Sequence, residues 1–389
     1  MDIRIIVAII GLIGMIVAAL ITVSPYFMPT SDPTPDPTPI GSPTSTSIPT
    51  SAPTQTAPSE TPTHPPIWSW QKIDGLPRQI NTLVVDPTNS HVLYAGTGAS
   101  GLGSSVYKSV DAGMTWYLAS DGLPSEDVEA LALSHDASPI LYAAADSGDI
   151  FTSTNGAESW TQLGNVELMG FENRLAVAPS DENVLFIVKD TRGVACSSDG
   201  GYNWWSVGKG LPQDEYGDVN AAQSLAIDPT DANVVYLGTG WGSFYGNGVY
   251  KSIDGGETWS PSNKGMLDYG ITALAVNPMD PQIVYAGGDN GELFKSNNGG
   301  ATWSTIQLPD QTSIHDITID PITPETIYLL CERVGIFISK DGGATWHVLG
   351  KPIKPDYPSF TAMAIIFEPQ QVLIVGVRDE GGWRYVTKD

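Results

Sequence analysis

The chain has only two cysteines in 389 residues, Cys196 and Cys331. No Cys-x-x-Cys or Cys/His spacing surrounds them, which excludes a disulfide framework, a structural zinc site and a dithiol redox centre. Both are expected to be small buried residues, and no metal or other cofactor is expected. Basic residues are scarce too: 18 Lys and Arg stand against 43 Asp and Glu, a formal net charge of −25. Phosphate backbones and anionic lipid surfaces need a basic footprint, so nucleic acid is excluded as a partner. The five histidines (His64, His91, His135, His315, His347) are scattered, with no pair at metal-ligand spacing. There is no glycine-rich phosphate loop leading from a strand into a helix, and no Ser/His/Asp grouping.

Long apolar runs are also missing, with one exception. Ile5 to Val23 is apolar throughout, broken only by Gly11 and Gly14. A run of this length can span a bilayer, and Arg4 with the amino terminus supplies the positive cytoplasmic flank. A cleaved signal peptide has a shorter apolar core and a small-residue cleavage site, which Ser24-Pro25-Tyr26-Phe27-Met28 does not offer. Residues 1–27 are therefore expected to be a transmembrane signal-anchor. The rest of the chain is then extracytoplasmic at the cell membrane, or secreted if the segment is cleaved. Residues 28–66 are Pro, Thr and Ser with almost nothing apolar, for example Pro33-Thr34-Pro35-Asp36-Pro37-Thr38-Pro39. Such a segment cannot bury a core and is expected to be a disordered stalk. As extended polyproline it would reach on the order of 100 Å.

Residues 67–389 repeat. The phrase Ser109-x-Asp111-x-Gly113-x-Thr115-Trp116 recurs ending at Trp160, Trp204, Trp259, Trp303 and Trp346, with the tryptophans 44, 44, 55, 44 and 43 residues apart. A fixed period of this size marks a repeat architecture. Each unit holds a short apolar strand closed by Asp-Pro or a relative (Leu83-Val84-Val85-Asp86-Pro87) and a second strand such as Val92-Leu93-Tyr94-Ala95-Gly96. A third strand such as Val106-Tyr107-Lys108-Ser109 follows, then the phrase and a fourth strand. Four short strands per unit with Gly/Asp turns predict a propeller blade. First strands beginning near Ile80, Val128, Arg174, Gln223, Ile271, Ile314 and Phe360 predict seven blades. The last unit reaches Thr387-Lys388-Asp389 and runs out of chain, while Ser69-Trp70 supplies the missing ending. Trp70 and Asp389 thus mark an expected closure of the C-terminal blade by an N-terminal strand, residues 67–73. The fold class is all-β: a seven-bladed propeller closed strand-to-strand, preceded by a transmembrane helix and a disordered linker.

The phrase itself reads as turn and seam chemistry. Asp111, Asn155, Asp199, Asp254, Asn298 and Asp341 are expected to accept backbone N–H bonds within the turn. The glycines supply positive φ. Trp116, Trp160, Trp204, Trp259, Trp303 and Trp346 suit the seams between blades. One carboxylate per turn, spread around a ring, does not make a metal site.

The six phrases resemble the Asp-box, or bacterial neuraminidase, repeat. The match covers the whole repeat region and looks most like propellers related to the photosystem II assembly factors. It is also similar to the sortilin-type receptors and the xyloglucan-cleaving glycoside hydrolases. These resemblances imply, in turn, docking onto a nascent membrane protein, peptide binding, and β-glucan hydrolysis by paired aspartates. The copy ending at Trp160 departs from the pattern, with Ala157 in place of the second glycine.

Ligands of such propellers engage the loop face opposite the Asp-box turns, by family analogy. The enlarged loops of the fourth unit put Tyr216, Trp241, Phe244 and Tyr245 forward as an aromatic, acid-rimmed ligand patch for a protein, peptide or glycan. Burial of those aromatics against their own blade stays an equal alternative. A sialidase would need three arginines, with Arg78, Arg333 and Arg378 as candidates, but its Phe/Tyr-Arg-Ile-Pro motif is replaced by Leu76-Pro77-Arg78-Gln79-Ile80. A glycoside hydrolase acting on extracellular polysaccharide, the alternative function, would draw on Asp146, Asp149, Asp289, Glu292 and Glu380. Nothing in the sequence pairs these carboxylates, so no catalytic residue is assigned. The expectation is a membrane-anchored binding or scaffolding module and not an enzyme.

Overall fold

In this computed structural model the described residues are 70–98, 105–166, 173–189, 193–213, 222–240, 248–267, 270–350, 359–367 and 371–386. The chain divides into two units, Met1–Thr63 and His64–Asp389. The first unit lies outside the described residues, and with it the expected membrane anchor and most of the stalk. Among the described residues no helix is long and apolar enough to cross a membrane. Among the described residues the second unit is built of seven four-stranded antiparallel sheets, six of them uninterrupted meanders.

The innermost strands of the seven blades are Gln79–Val85, Val128–Leu133, Asn173–Ala178, Ala222–Asp228, Ile271–Val276, Ile314–Ile319 and Phe360–Ile366. The second strands are the most apolar. Leu93–Gly98, Leu141–Ala145, Val284–Gly288 and Ile327–Cys331 are buried at every position. A strand covered by a neighbouring sheet on both faces has no solvent side, so it loses the polar alternation of a half-buried strand. Cys196 and Cys331 are buried free thiols, as their isolation in the sequence implies.

The seventh blade is composite. Phe360–Ile366, Val372–Val377 and Gly381–Val386 come from the C-terminal end, and the fourth strand is Gln71–Lys72. Gln71 pairs with Arg384 and Lys72 with Trp383, and the Ile73 N–H donates to the Gly382 carbonyl at 2.9 Å. Trp70 packs on Tyr385 with ring centroids 5.2 Å apart, and Lys72 pairs with Glu380 at 3.6 Å. Asp389, the other expected closure residue, lies outside the described residues.

Each Asp-box is a closed hydrogen-bond circuit. In the fourth blade the Ser252 hydroxyl donates to Asp254 Oδ1 at 2.7 Å and accepts from the Gly256 N–H at 2.8 Å. Thr258 then donates its N–H to Asp254 Oδ1 at 2.9 Å and its hydroxyl to Oδ2 at 2.5 Å. Where the acid is Asn155 or Asn298, the amide N–H donates instead to Ser159 or Thr302. The two residues after the acid both take positive φ, which explains the glycine pair, yet Ala112 (58°) and Ala157 (66°) adopt it as well.

Hydrogen bonds from Thr or Asn partners hold the carboxyls of Asp199, Asp254 and Asp341 below the usual range, Asp341 at about 2. A depressed folded-state value means that the stabilisation is present above the unfolded value and is lost as pH falls through the folded one. Melting temperature is therefore expected to fall between about pH 4 and pH 2. Asp341→Asn, which imitates the two natural Asn boxes, is expected to melt within about 2 °C of the parent at pH 7 and to lose less on acidification. Thermal melts of both proteins across that range check this; an unchanged acid slope in the variant would count against the Asp-box carboxylate as a source of the loss.

The box tryptophans reach between blades. The Nε1–H groups of Trp160, Trp259 and Trp303 donate to the carbonyls of Ala119, Val207 and Ser262 in the preceding blade. Those of Trp116, Trp204 and Trp346 stay on their own turns, at Gly113, Gly201 and Gly343. The exit turn of the preceding blade comes so close that a Cβ on Gly210 (φ 95°) would lie 2.2 Å from the Trp259 carbonyl oxygen. A second seam device uses the third strand. Lys108, Lys251 and Lys295 each lie over a tyrosine of their own blade (Tyr94, Tyr236, Tyr285) and donate to Gly156, Gly299 and Gly342 of the next Asp-box. At the closing seam Arg384 donates to Ala112 in the same manner. The register puts Thr152, Cys196 and Ile338 at this position in the second, third and sixth blades.

Candidate binding site at the propeller axis

The innermost strands share an irregularity at their first turn. In six blades the register slips by one residue, between Ile80 and Thr82, Val128 and Ala130, Ala222 and Ser224, Ile271 and Ala273, Ile314 and Asp316, and Phe360 and Ala362. The residues left over are Asn81, Glu129, Gln223, Thr272, His315 and Thr361. A bulge re-aims a side chain that a regular strand would place elsewhere. All six line one cavity of about 320 Å³, joined by Arg174 from the third blade, whose strand is regular there. Arg378, Asp289, Gln79, Ser313 and Ser359 complete the polar wall. The apolar residue before each bulged one (Ile80, Val128, Ala222, Ile271, Ile314, Phe360) is buried, which anchors the ring of bulges.

The cavity lies at the end of the axis where the innermost strands begin, opposite the Asp-box turns. Each blade contributes to it, and neighbouring blades are stitched together around it. The Asn81 amide donates to the Val128 carbonyl at 3.2 Å, and the Thr272 hydroxyl to the Ile314 carbonyl at 2.6 Å. The Ser224 hydroxyl donates to the Ile271 carbonyl at 3.0 Å. A smaller cavity of about 180 Å³ shares Asn81, Glu129 and Arg174 and adds Asp316 and Met363 further along.

Both signs of charge face this space. Burial pushes the Asp316 carboxyl up, against the pull of the Arg174 guanidinium and of the Ile317 N–H at 2.8 Å. Burial likewise lowers Lys189, while Asp146 and Glu129 pull it upward. A raised Asp value means that stability is present below the unfolded value and is lost as pH rises through the folded one. Asp316→Asn is therefore expected to melt higher than the parent at pH 7, with the gain shrinking towards pH 4. A lower melting temperature at pH 7 would contradict the desolvation argument.

Of the residues singled out in the sequence, Arg378 and Asp289 line the axial cavity, and Arg78 and Arg333 do not. Asp149 is engaged by Asn165 at 2.7 Å, and Glu380 by Lys72. Tyr216, Trp241, Phe244 and Tyr245 lie outside the described residues. Asn81, Glu129, Arg174, His315 and Asp316 do not stand out as site residues in the sequence. Their signal was a polar residue directly after a large or small apolar one at the start of an innermost strand, repeated from blade to blade. Among the described residues no cluster of three metal-ligating side chains occurs.

Comparison with known proteins places this architecture. The chain is similar to several propeller families, and the likeness establishes the fold. A family model described as "Sortilin, neurotensin receptor 3" matches residues 247–352 and 291–388. Among curated proteins, Xyloglucanase Xgh74A of Acetivibrio thermocellus is 26% identical over 211 residues, 43% of this chain and 24% of that protein. Vacuolar protein sorting/targeting protein 10 of Emericella nidulans is 32% identical over 63 residues, 16% of this chain and 4% of that protein. The chain thus spans about a quarter, 24%, of the length of the xyloglucanases it first matches. Among solved structures, YCF48 bound to D1 peptide aligns with a TM-score of 0.60 at 15% identity, covering 82% of this chain and 95% of that one. The GH74 enzyme of Niastella koreensis aligns with a TM-score of 0.57 at 19% identity, covering 80% of this chain and 52% of that one. At these identities the structural likeness concerns the fold alone.

Proposed function

We propose that the propeller is a binding module that takes a protein or peptide segment at the axial mouth. The observation that carries this reading is the ring of bulged polar residues, because one pocket receives a side chain from every blade. Concave sites lined by a few convergent polar groups are where ligands bind, and here donors, acceptors and both charges converge. A peptide offers the same mixture, with backbone amides throughout and charged side chains at intervals. The YCF48 structure, which spans nearly the same length, was solved with a peptide, and this adds support. Binding of immobilised peptide libraries by the full chain, compared with Arg174→Ala and Arg378→Ala, tests the reading. Loss of about tenfold or more in affinity in either variant is expected, the scale of one charge-assisted hydrogen bond. Equal binding by all three proteins would sink it.

The alternative is glycoside hydrolysis. It is favoured by the partial match to xyloglucanases and by a raised acid, Asp316, sharing the axial channel with Glu129. Two carboxyls at one site are what such chemistry needs. Release of reducing ends from xyloglucan that disappears in both Asp316→Asn and Glu129→Gln would establish it in place of binding alone. We further propose that residues 5–23 anchor the protein in a membrane with the propeller on the extracytoplasmic side. Recovery of the full chain in the carbonate-extracted soluble fraction of cells would refute the anchor.

A further inference from the structure

A second, chemically different site lies on the outer rim. The third Asp-box reads Tyr202-Asn203-Trp204-Trp205, with aromatic residues on both sides of the box Asn-Trp pair. Tyr202 and Trp205 are 66% and 43% exposed, and the box tryptophan Trp204 beside them is half-buried. Both line a cleft of about 440 Å³ between the second and third blades, together with Asn165, Asn203, Ser206 and Trp204. The corresponding cleft between the first and second blades holds about 250 Å³ and contains Lys108, Asp121 and Glu158.

Two features of the sequence open the larger cleft. The position that carries a latch lysine in the first, fourth and fifth blades is Thr152 in the second, and its hydroxyl turns back to the Leu141 carbonyl at 3.1 Å. No latch lysine therefore covers the Asp-box end of this seam. In the third blade the same position is Cys196, and Trp205 pairs with it across the ladder. The Cys196 thiol is pushed up to about 11 by burial, and a hydrogen bond from the Trp205 side chain opposes this. Asn165 donates to Asp149 at 2.7 Å and Asn203 to Asp199 at 2.6 Å, which uses their N–H groups and keeps their amide oxygens as acceptors.

We infer that this rim cleft binds a neutral pyranose glycan, of the β-linked gluco type with equatorial hydroxyls. The cleft is lined by no charged side chain, in a protein of net charge −25. Aromatic faces beside amide and hydroxyl groups fit a ligand that is flat and apolar on its C–H face and polar at its edge. An all-equatorial pyranose chain has that shape in every unit. A nucleic acid or an acidic peptide would need cations that this cleft lacks.

The test is calorimetric titration of the full chain with cellohexaose and with a xyloglucan heptasaccharide. Wild-type binding is expected with at least one of them. Trp205→Ala and Tyr202→Ala are expected each to weaken it about tenfold, at unchanged melting temperature, the scale of one aromatic contact. Arg174→Ala is expected to bind the glycan as the parent does, while Trp205→Ala keeps any axial peptide binding; the two sites thus fail separately. Absence of binding to both oligosaccharides would overturn the assignment. So would a glycan affinity that falls in Arg174→Ala and persists in both rim variants.

Discussion

Deletion of residues 67–73 is expected to abolish the monomeric propeller. The strand lost is short, Gln71–Lys72, but among the described residues it is the strand that completes the last blade's sheet from the N-terminal side of the repeat region. Ile73 is buried among Ile80, Ala362 and Ile374, at the seam between the first and seventh blades. Removing such a side chain alone costs about 2–5 kcal/mol. The ring contact of Trp70 with Tyr385 adds about 0.5–1.5 kcal/mol. The deletion also uncovers the backbone of Gly381–Val386 as an open sheet edge, which templates pairing with another chain. Size-exclusion chromatography and thermal melting check the outcome. A deletion protein that elutes as a monomer and melts at the parental temperature would show that the blade closes without this strand.

Trp259→Ala is expected to destabilise by about 3–5 kcal/mol, the range for an aromatic deleted from a core. Trp259 is buried with Phe186, Cys196 and Val207 of the third blade, and its Nε1–H donates to the Val207 carbonyl at 3.0 Å. Its own N–H donates to the Lys209 carbonyl at 2.9 Å, beside the Gly210 turn that leaves no room for a Cβ. The substitution therefore opens a cavity and orphans a carbonyl at once. Trp204→Ala serves as the comparison, because Trp204 is only half-buried and bonds to its own turn at Gly201. Its loss is expected to be smaller. Denaturant midpoints of the two variants, at constant m-value, measure the difference. Equal losses would show that the cross-seam bond and the deeper burial do not matter.

Much of the architecture was legible because its signals are local. The strand endings such as Asp86-Pro87, the Asp-box acids and the period of the tryptophans each declare a turn or an edge within a few residues. The split ending at Ser69-Trp70 declared the closure for the same reason. The axial site was not legible. Asn81, Glu129 and His315 look like polar alternation in a half-buried strand, which is how a pleated strand normally reads. Only the paired strand reveals the slipped register that turns them to the axis, and pairing is a long-range fact. Arg174 comes from the one innermost strand without that slip, so no shared pattern announced it. What does stand out in the sequence is the enlarged loops of the fourth blade, and Tyr216, Trp241, Phe244 and Tyr245 there fall outside the described residues.

The ring of bulges has a thermodynamic consequence. Residues from all seven blades line the mouth, so under the proposed reading a ligand there would be held by the closed ring and lost from an opened one. Occupancy and folding are then linked equilibria: ligand at a hundred times its dissociation constant would raise stability by about 2.7 kcal/mol. The same linkage runs backward. A lesion at any seam, however remote from the axis, lowers the fraction of molecules able to bind, and affinity becomes a gauge of whether the circle is whole.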